Sequence, residues 1–136
     1  MYVLDASVVL KWFLEEENSD KALWFKDRYL LGICNIAFPD LMIYEISNSL
    51  KFNKKFDSSS AYEAIDALIN LRIDIIVPTK SIIKQALNLA VDSGVTFYDA
   101  IYVALADHLK YDFITADEKL ARKLPNLKFI KLLKDF

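Results

Sequence analysis

Short apolar runs alternate along the chain with longer stretches in which apolar residues recur every three or four positions. The short runs have the length of buried strands, and the longer stretches have the periodicity of amphipathic helices. The pattern predicts five strands, at residues 2–4, 35–38, 73–77, 113–115 and 127–130. It predicts helices over residues 8–16, 20–31, 41–52, 61–71, 81–93, 97–109 and 116–124, with a last helical turn within 131–136.

Capping residues and helix breakers stand at the ends of these predicted elements. Thr79 and Thr96 are placed to cap the helices that follow them, and Thr115 with Glu118 has the spacing of a capping box. Gly94 ends the helix over 81–93. Because strands alternate with helices, we expect an α/β fold with a mostly parallel central sheet of four to five strands flanked by helices.

The composition predicts one domain over residues 1–136. The hydrophobic fraction of 54% is enough for a sizeable core, and a chain of this length has the usual size of a domain. The apolar N-terminal run is interrupted by Asp5 and Lys11, which is unlike a secretory signal or a membrane segment. A single cysteine, Cys34, cannot form an internal disulfide, so we expect an inert buried thiol and a cytoplasmic location.

The net charge of −2 and the pI near 5.4 exclude a general polyanion binder. They do not exclude a nucleic-acid enzyme. If four of the 19 acidic residues hold metal ions, the remaining 15 are outnumbered by the 17 basic residues. The charge therefore neither supports nor rules out RNA as a substrate.

Four acidic residues stand out by their positions. Asp5 follows the first strand, Asp117 lies two residues beyond the fourth, and Asp99 is in the first turn of the helix over 97–109. Glu45 lies inside an otherwise apolar helix, where a charge is costly unless it is paired or ligating. If the first and fourth strands are neighbours, Asp5 and Asp117 meet at the carboxyl edge of the sheet, where such folds bind ligands.

Several carboxylates in one pocket repel one another unless cations neutralise them. Mg²⁺ and Mn²⁺ prefer oxygen ligands, lower the pKa of a bound water and stabilise charge on a phosphoryl group. A site made of carboxylates, without a His, Cys or Lys nucleophile, therefore indicates phosphodiester hydrolysis.

Each acid also has a purely structural interpretation. Asp5 could cap the following helix, and Asp99 could complete a capping box with Thr96. Asp117 could interact favourably with the helix macrodipole in the first turn of its helix. Glu45 could lie on the solvent side of an amphipathic helix. These alternatives stay open at the level of sequence.

The segments around the four acids resemble the motifs of the PIN-domain ribonucleases, particularly the VapC toxins of prokaryotic toxin–antitoxin pairs. The resembling segments, which together span nearly the whole chain, are YVLDASVVLKWFLEEE, PDLMIYEISNSL, TFYDAIYVALA and FITADEKLA. The resemblance implies a PIN-like three-layer sandwich and an endoribonuclease. It also implies that Asp5, Glu45, Asp99 and Asp117 are the catalytic and metal-binding residues, with Mg²⁺ or Mn²⁺ as cofactor.

The same resemblance assigns supporting roles and partners. Ser7 and Thr115 would place hydroxyl groups near the metal, and Asn48 would orient Glu45 or a ligating water. The partners implied are an RNA substrate, a cognate VapB-like antitoxin and a second copy of the chain in a homodimer, with no membrane.

Basic residues near the predicted site could contact RNA phosphates, although a solvated helix face is the commoner role for such residues. They are Lys51, Lys54, Lys55, Lys119, Arg122 and Lys123. Lys11 could pair with an active-site acid or lie in solvent, and His108 is expected at the surface. The aromatic residues Trp12, Phe13, Trp24, Phe25, Phe97, Tyr98 and Tyr102 recur at helical spacing and are expected in the core or a dimer interface.

Three other protein classes share features with this sequence. A response-regulator receiver domain also gathers acids at strand ends, but it needs a phosphoacceptor Asp after its third strand, where this chain has Val77-Pro78. A dinucleotide-binding enzyme needs a glycine-rich turn that two isolated glycines cannot form. A catalytically silent PIN-like scaffold that binds nucleic acid or protein remains the alternative to the nuclease.

Overall fold

A computed structural model describes the whole chain, residues 1–136. Its five strands form one sheet, and they are β1 (Tyr2–Leu4), β2 (Ile36–Pro39), β3 (Asp74–Ile76), β4 (Asp112–Thr115) and β5 (Ile130–Leu132). The strand order is β3-β2-β1-β4-β5, and every neighbouring pair is parallel. The predicted α/β class is confirmed, and the sheet has all five strands.

Seven helices flank this sheet. They are α1 (Ala6–Val9), α2 (Ser19–Leu30), α3 (Leu41–Phe52), α4 (Ser58–Asn70), α5 (Lys80–Ser93), α6 (Phe97–Leu109) and α7 (Glu118–Lys123), with 3₁₀ turns at Leu10–Trp12 and Leu133–Asp135. Helix α6 packs against β1, β2 and β4, and α5 packs against α6. No helix combines the length and the apolar character needed to span a lipid bilayer.

The centre of the molecule lies where β1 meets α6. Val3 and Leu4 of β1 are fully buried, because the strand has neighbours on both edges and helices over the sheet. In α6, all seven residues from Ala100 to Ala106 are buried. A helix that is buried on all sides must be apolar around its whole circumference, and its three alanines here allow close packing. The site side chains of β1 and α6 are therefore attached to buried elements at the centre of the core.

The strand order creates a crevice beside β1. The chain runs outward from β1 to β2 and β3, and then returns to place β4 on the other edge of β1. Such a reversal leaves a gap between the connections at the carboxyl ends of the two strands, and parallel α/β sheets bind their ligands there. The backbone amide of Asp5 donates to the Ile114 carbonyl (2.9 Å), which extends the pairing to the rim of that gap.

Four local predictions were wrong. The helix expected over 8–16 is instead the short α1 and a 3₁₀ turn that ends at Trp12. Ser19 Oγ donates to the Leu14 carbonyl and accepts from the Glu16 amide, which holds the following residues in a turn. The last strand is Ile130–Leu132 rather than residues 127–130, since the chain makes turns through Leu127 before it pairs with β4.

The third error concerns the cap of α7. Thr115 is the fully buried last residue of β4, so its side chain cannot cap a helix that starts at Glu118. Asp117 is the N-cap instead. Cys34 also differs from expectation, because it is only partly buried, with its Sγ 3.9 Å from the Phe25 carbonyl oxygen.

Replacement of Thr96 with Ala is expected to lower the free energy of unfolding by about 1 kcal/mol. Thr96 Oγ1 accepts a hydrogen bond from the backbone amide of Asp99 (3.0 Å) and so satisfies a free N–H at the start of α6. Urea unfolding followed by circular dichroism measures the change. The matched control is Thr96→Ser, which keeps the hydroxyl and should retain nearly the wild-type stability. Equal losses in both variants would contradict the capping role.

Candidate functional site

A cleft of about 420 Å³ opens at the carboxyl ends of β1 and β4. Its lining residues are Asp5, Ala6, Ser7, Leu10, Glu45, Asn48, Ser49, Asp99 and Asp117. All four acids named from the sequence are in this set, although they come from four separate segments of the chain. The structure thus brings together the acids that the sequence pattern placed at one edge of the sheet.

Asp5 lies at the junction of β1 and α1, with its carboxylate held by two hydroxyl groups. Ser7 Oγ donates to Asp5 Oδ2 at 2.8 Å, and Thr115 Oγ1 donates to the same oxygen at 2.5 Å. Asp5 occupies the N-cap position of α1, yet its side chain makes no capping hydrogen bond. Burial raises the pKa of Asp5, and the charge of Asp99 raises it further against the opposing effect of the two hydroxyls. The carboxylate is therefore positioned for something other than helix capping.

The two hydroxyls also tie the ends of β1 and β4 together. Ser7 Oγ accepts from the backbone amide of Ala116 (3.1 Å), and Thr115 Oγ1 accepts from that of Asp117 (2.9 Å). Each hydroxyl therefore donates to Asp5 and accepts from the loop that follows β4. Ser7 and Thr115, which the family resemblance named, hold Asp5 and the Asp117 loop in one fixed arrangement.

Asp117 both caps α7 and lines the cleft. Its Oδ1 accepts from the backbone amides of Lys119 (2.8 Å) and Leu120 (3.1 Å), which caps α7. The residue is exposed and lines the cleft. The structural interpretation of Asp117 as a helix-start acid is thus correct for one oxygen, while Oδ2 accepts no hydrogen bond from the chain.

Glu45 projects from α3 into the cleft and is half-buried. Burial raises the pKa of Glu45, and the charges of Asp5 and Asp99 add to the effect. The Tyr102 hydroxyl donates to Glu45 Oε2 and opposes this rise. Burial and the Glu45 charge raise the pKa of Tyr102 as well, so its hydroxyl stays protonated and remains a donor. Glu45 is therefore not a mere surface residue of an amphipathic helix.

Tyr102 is the site residue that the sequence reasoning missed. The sequence pattern predicts a core or interface position for Tyr102, and the residue is indeed 1% exposed. A buried tyrosine needs a partner for its hydroxyl, and Tyr102 lies one helical turn after Asp99. That spacing, together with the lack of other polar residues on the buried face of α6, was the available signal.

Asp99 is partly buried at the start of α6. Its backbone amide bonds to Thr96, but no return bond from its side chain completes a capping box. None of the four acids forms an ion pair, since the four salt bridges of the structure involve Glu16, Asp107 and Glu118. The cleft consequently holds negative charge that no basic side chain neutralises.

The donor set fits a hard divalent cation. In the present side-chain positions no three acids surround a single point as a finished metal cage. Mg²⁺ does not require such a cage, because it keeps several waters and binds through one or two carboxylates plus substrate phosphates. Oxygens of Asp5, Glu45, Asp99 and Asp117 at one unneutralised cleft match that chemistry. Metal binding by these residues stays a prediction.

The supporting and basic residues lie as follows. Asn48 lines the cleft and donates no hydrogen bond to Glu45 in the structure, and its predicted role, to orient Glu45 or a ligating water, stays a prediction. Lys51, Lys54, Lys55 and Lys119 are exposed. Arg122 pairs with Glu118 (2.9 Å), and Lys123 donates to the Gly94 carbonyl (2.9 Å). RNA contacts by these side chains remain predictions.

Among Lys11, His108 and the aromatic residues, only Tyr102 donates a side-chain hydrogen bond to one of the four acids. Lys11 pairs with Glu16 (3.1 Å) and with none of the four acids. His108 is exposed, as expected. Of the aromatic residues, Trp12 and Phe25 are buried with Tyr102, whereas Trp24, Phe97 and Tyr98 are exposed by 36–61%.

Comparisons with known proteins agree on this fold. The chain is 32% identical over 129 residues to Ribonuclease VapC3 of Pyrobaculum aerophilum, covering 92% of this chain and 95% of that protein. A toxin–antitoxin complex from Klebsiella pneumoniae superposes with a TM-score of 0.72 at 14% identity over 98% of each chain. VapBC2 of Rickettsia felis, bound to a DNA fragment from its promoter, superposes with a TM-score of 0.69 at 15% identity over 96% of each chain. Because the family model of the PIN domain matches residues 2–124, this chain belongs to the PIN-domain family.

Proposed function

We propose that the protein is an endoribonuclease that hydrolyses RNA phosphodiester bonds with Mg²⁺ or Mn²⁺, and that residues 1–136 act as a single PIN domain. The observation that carries the proposal is the convergence of Asp5, Glu45, Asp99 and Asp117 on one cleft with no basic partner. The similarity to Ribonuclease VapC3 over nearly the full length of both chains supports the choice of RNA.

The chain's own residues would bind the ion and keep the cleft in shape. Oxygens of the four acids are the proposed ligands, directly or through water. When bound, the metal would supply Lewis acidity toward a phosphoryl oxygen and a water of lowered pKa. Ser7 and Thr115 both donate hydrogen bonds to Oδ2 of Asp5, so the carboxylate does not have to reorganise when substrate binds. No side chain has to form a covalent intermediate.

We propose that the protein is the toxin of a VapBC-type toxin–antitoxin pair, that it binds a VapB-like antitoxin, and that it forms a homodimer. The relatives named as toxin–antitoxin complexes support the antitoxin as a partner. A cytoplasmic location is also proposed, because the single Cys34 leaves no internal disulfide to form.

The proposed activity is tested by incubating purified protein with a mixed RNA in Mg²⁺, in Mn²⁺ and in chelator. We expect fragments with either metal, no fragments in chelator, and recovery when Mg²⁺ is added back in excess. Electrophoresis of end-labelled RNA reports cleavage within the strand. Metal-independent cleavage would overturn the metal role. Retention of RNA without cleavage under every condition would instead favour a silent binding scaffold.

A further inference from the structure

Tyr102 reaches one of the four acids, Glu45, through a buried hydroxyl. Helix α6 presents Asp99 and Tyr102 one turn apart, and residues at this spacing share a helix face. The Tyr102 ring centroid lies 6.3 Å from that of Phe113, and its hydroxyl oxygen lies 4.0 Å from Met42 Sδ. Its one strong polar contact is with Glu45 Oε2 on α3. This packing holds the ring in place, so the Tyr102 hydroxyl can donate a hydrogen bond only at one position.

Glu45 needs such a fixed donor more than Asp5 or Asp117 does. A glutamate side chain has three rotatable bonds, and this one faces the like charges of Asp5 and Asp99, which favour a turn toward solvent. No other side chain donates to Glu45, and Asn48, one turn away on α3, does not. Asp5 has two hydroxyl donors, and Asp117 has two backbone donors. The carboxylate of Glu45 is held by one hydrogen bond, from Tyr102.

We infer that Tyr102 is a positioning residue, whose hydroxyl holds Oε2 of Glu45 and thereby leaves Oε1 as the oxygen available to the cleft. The inference rests on the proposed function, since it concerns how Glu45 serves a metal ion. It predicts that the hydroxyl of Tyr102 contributes to metal affinity without touching the metal or the RNA. Removal of outer partners of ligating groups typically weakens metal affinity or activity by 10- to 100-fold.

The test compares Tyr102→Phe with Tyr62→Phe. Both substitutions delete one hydroxyl and keep the ring, but Tyr62 is on α4, is 70% exposed and has no hydrogen-bond partner in the chain. The dissociation constant for Mn²⁺ is measured by electron paramagnetic resonance in the absence of RNA. We expect it to rise by at least about 10-fold in Tyr102→Phe and to stay unchanged in Tyr62→Phe. In RNA cleavage, kcat at a fixed Mn²⁺ concentration should fall while KM stays within about twofold.

A double variant separates positioning from general loss of structure. In a Glu45→Gln background, deletion of the Tyr102 hydroxyl should change the Mn²⁺ dissociation constant by less than about twofold, because the group that it positions is no longer a carboxylate. An equal loss in both backgrounds would overturn the inference in favour of a packing effect. Unchanged Mn²⁺ affinity of Tyr102→Phe, with a wild type that binds and cleaves, would overturn the inference alone. A wild type that neither binds Mn²⁺ nor cleaves RNA would overturn the proposed function as well.

Discussion

The Asp5→Asn variant is expected to cleave RNA in Mg²⁺ more than about 100-fold more slowly than the wild type. Outer partners of metal ligands already cost 10- to 100-fold when they are removed, and Asp5 is placed to act as a ligand itself. It lies at the switch point of the sheet and receives two hydroxyl hydrogen bonds on a single oxygen. The substitution removes a charge and keeps nearly the same shape. Initial rates on end-labelled RNA measure the loss.

The same variant should be at least as stable as the wild type when metal is absent. Burial and Asp99 raise the pKa of Asp5, which means that the folded protein disfavours the ionised form. A neutral amide avoids that penalty and can still accept from Ser7 and Thr115. Thermal melting in chelator tests this expectation, with Asp92→Asn on the exposed side of α5 as the matched control. A melting temperature far below that of the wild type would mean that lost activity reports unfolding rather than catalysis.

The position of the acids could be predicted because it depends on local signals. A short apolar run identifies β1, and the carboxyl end of a parallel strand faces the ligand side wherever that strand lies in the sheet. Asp5 and Asp117 could therefore be placed at one edge once β1 and β4 were assumed to be neighbours, and the structure shows that they are. The charge of Glu45 inside an apolar helix gave a comparable local signal.

The parts that were missed depend on contacts between distant segments. In the sequence, Tyr102 resembles the other six of the seven buried residues of α6. Its hydroxyl donates to Glu45, and that contact depends on where α3 packs in the fold. Thr115 occupies a sequence position that predicts the N-cap of α7. Pairing of β4 with β1 buries Thr115 against Asp5, and Asp117 is the N-cap instead. Tertiary contacts override local propensity in both cases.

Binding of Mg²⁺ or Mn²⁺ is expected to raise the stability of the wild type. An ion that binds only the folded state at 100 times its dissociation constant adds about 2.7 kcal/mol. For a chain of this size that corresponds to a rise in melting temperature of roughly 10 °C. The rise should be much smaller in Asp5→Asn and in Glu45→Gln, while Asp92→Asn should behave as the wild type. Scanning calorimetry with added metal and with chelator measures each shift.

The size of this stabilisation should depend on pH with a definite sign. In the metal-free protein the pKa values of Asp5 and Glu45 are raised, so the unfolded chain loses these protons first as the pH rises above about 4. The folded state then binds more protons than the unfolded state, and the free energy of unfolding falls until the pH passes the raised pKa values. Metal binding requires the ionised carboxylates, so the stabilisation by Mg²⁺ should be full above those values and vanish as the pH falls below them. A shift in melting temperature that is as large at about pH 4 as at about pH 7.5 would show that the ion binds elsewhere than at these raised-pKa acids.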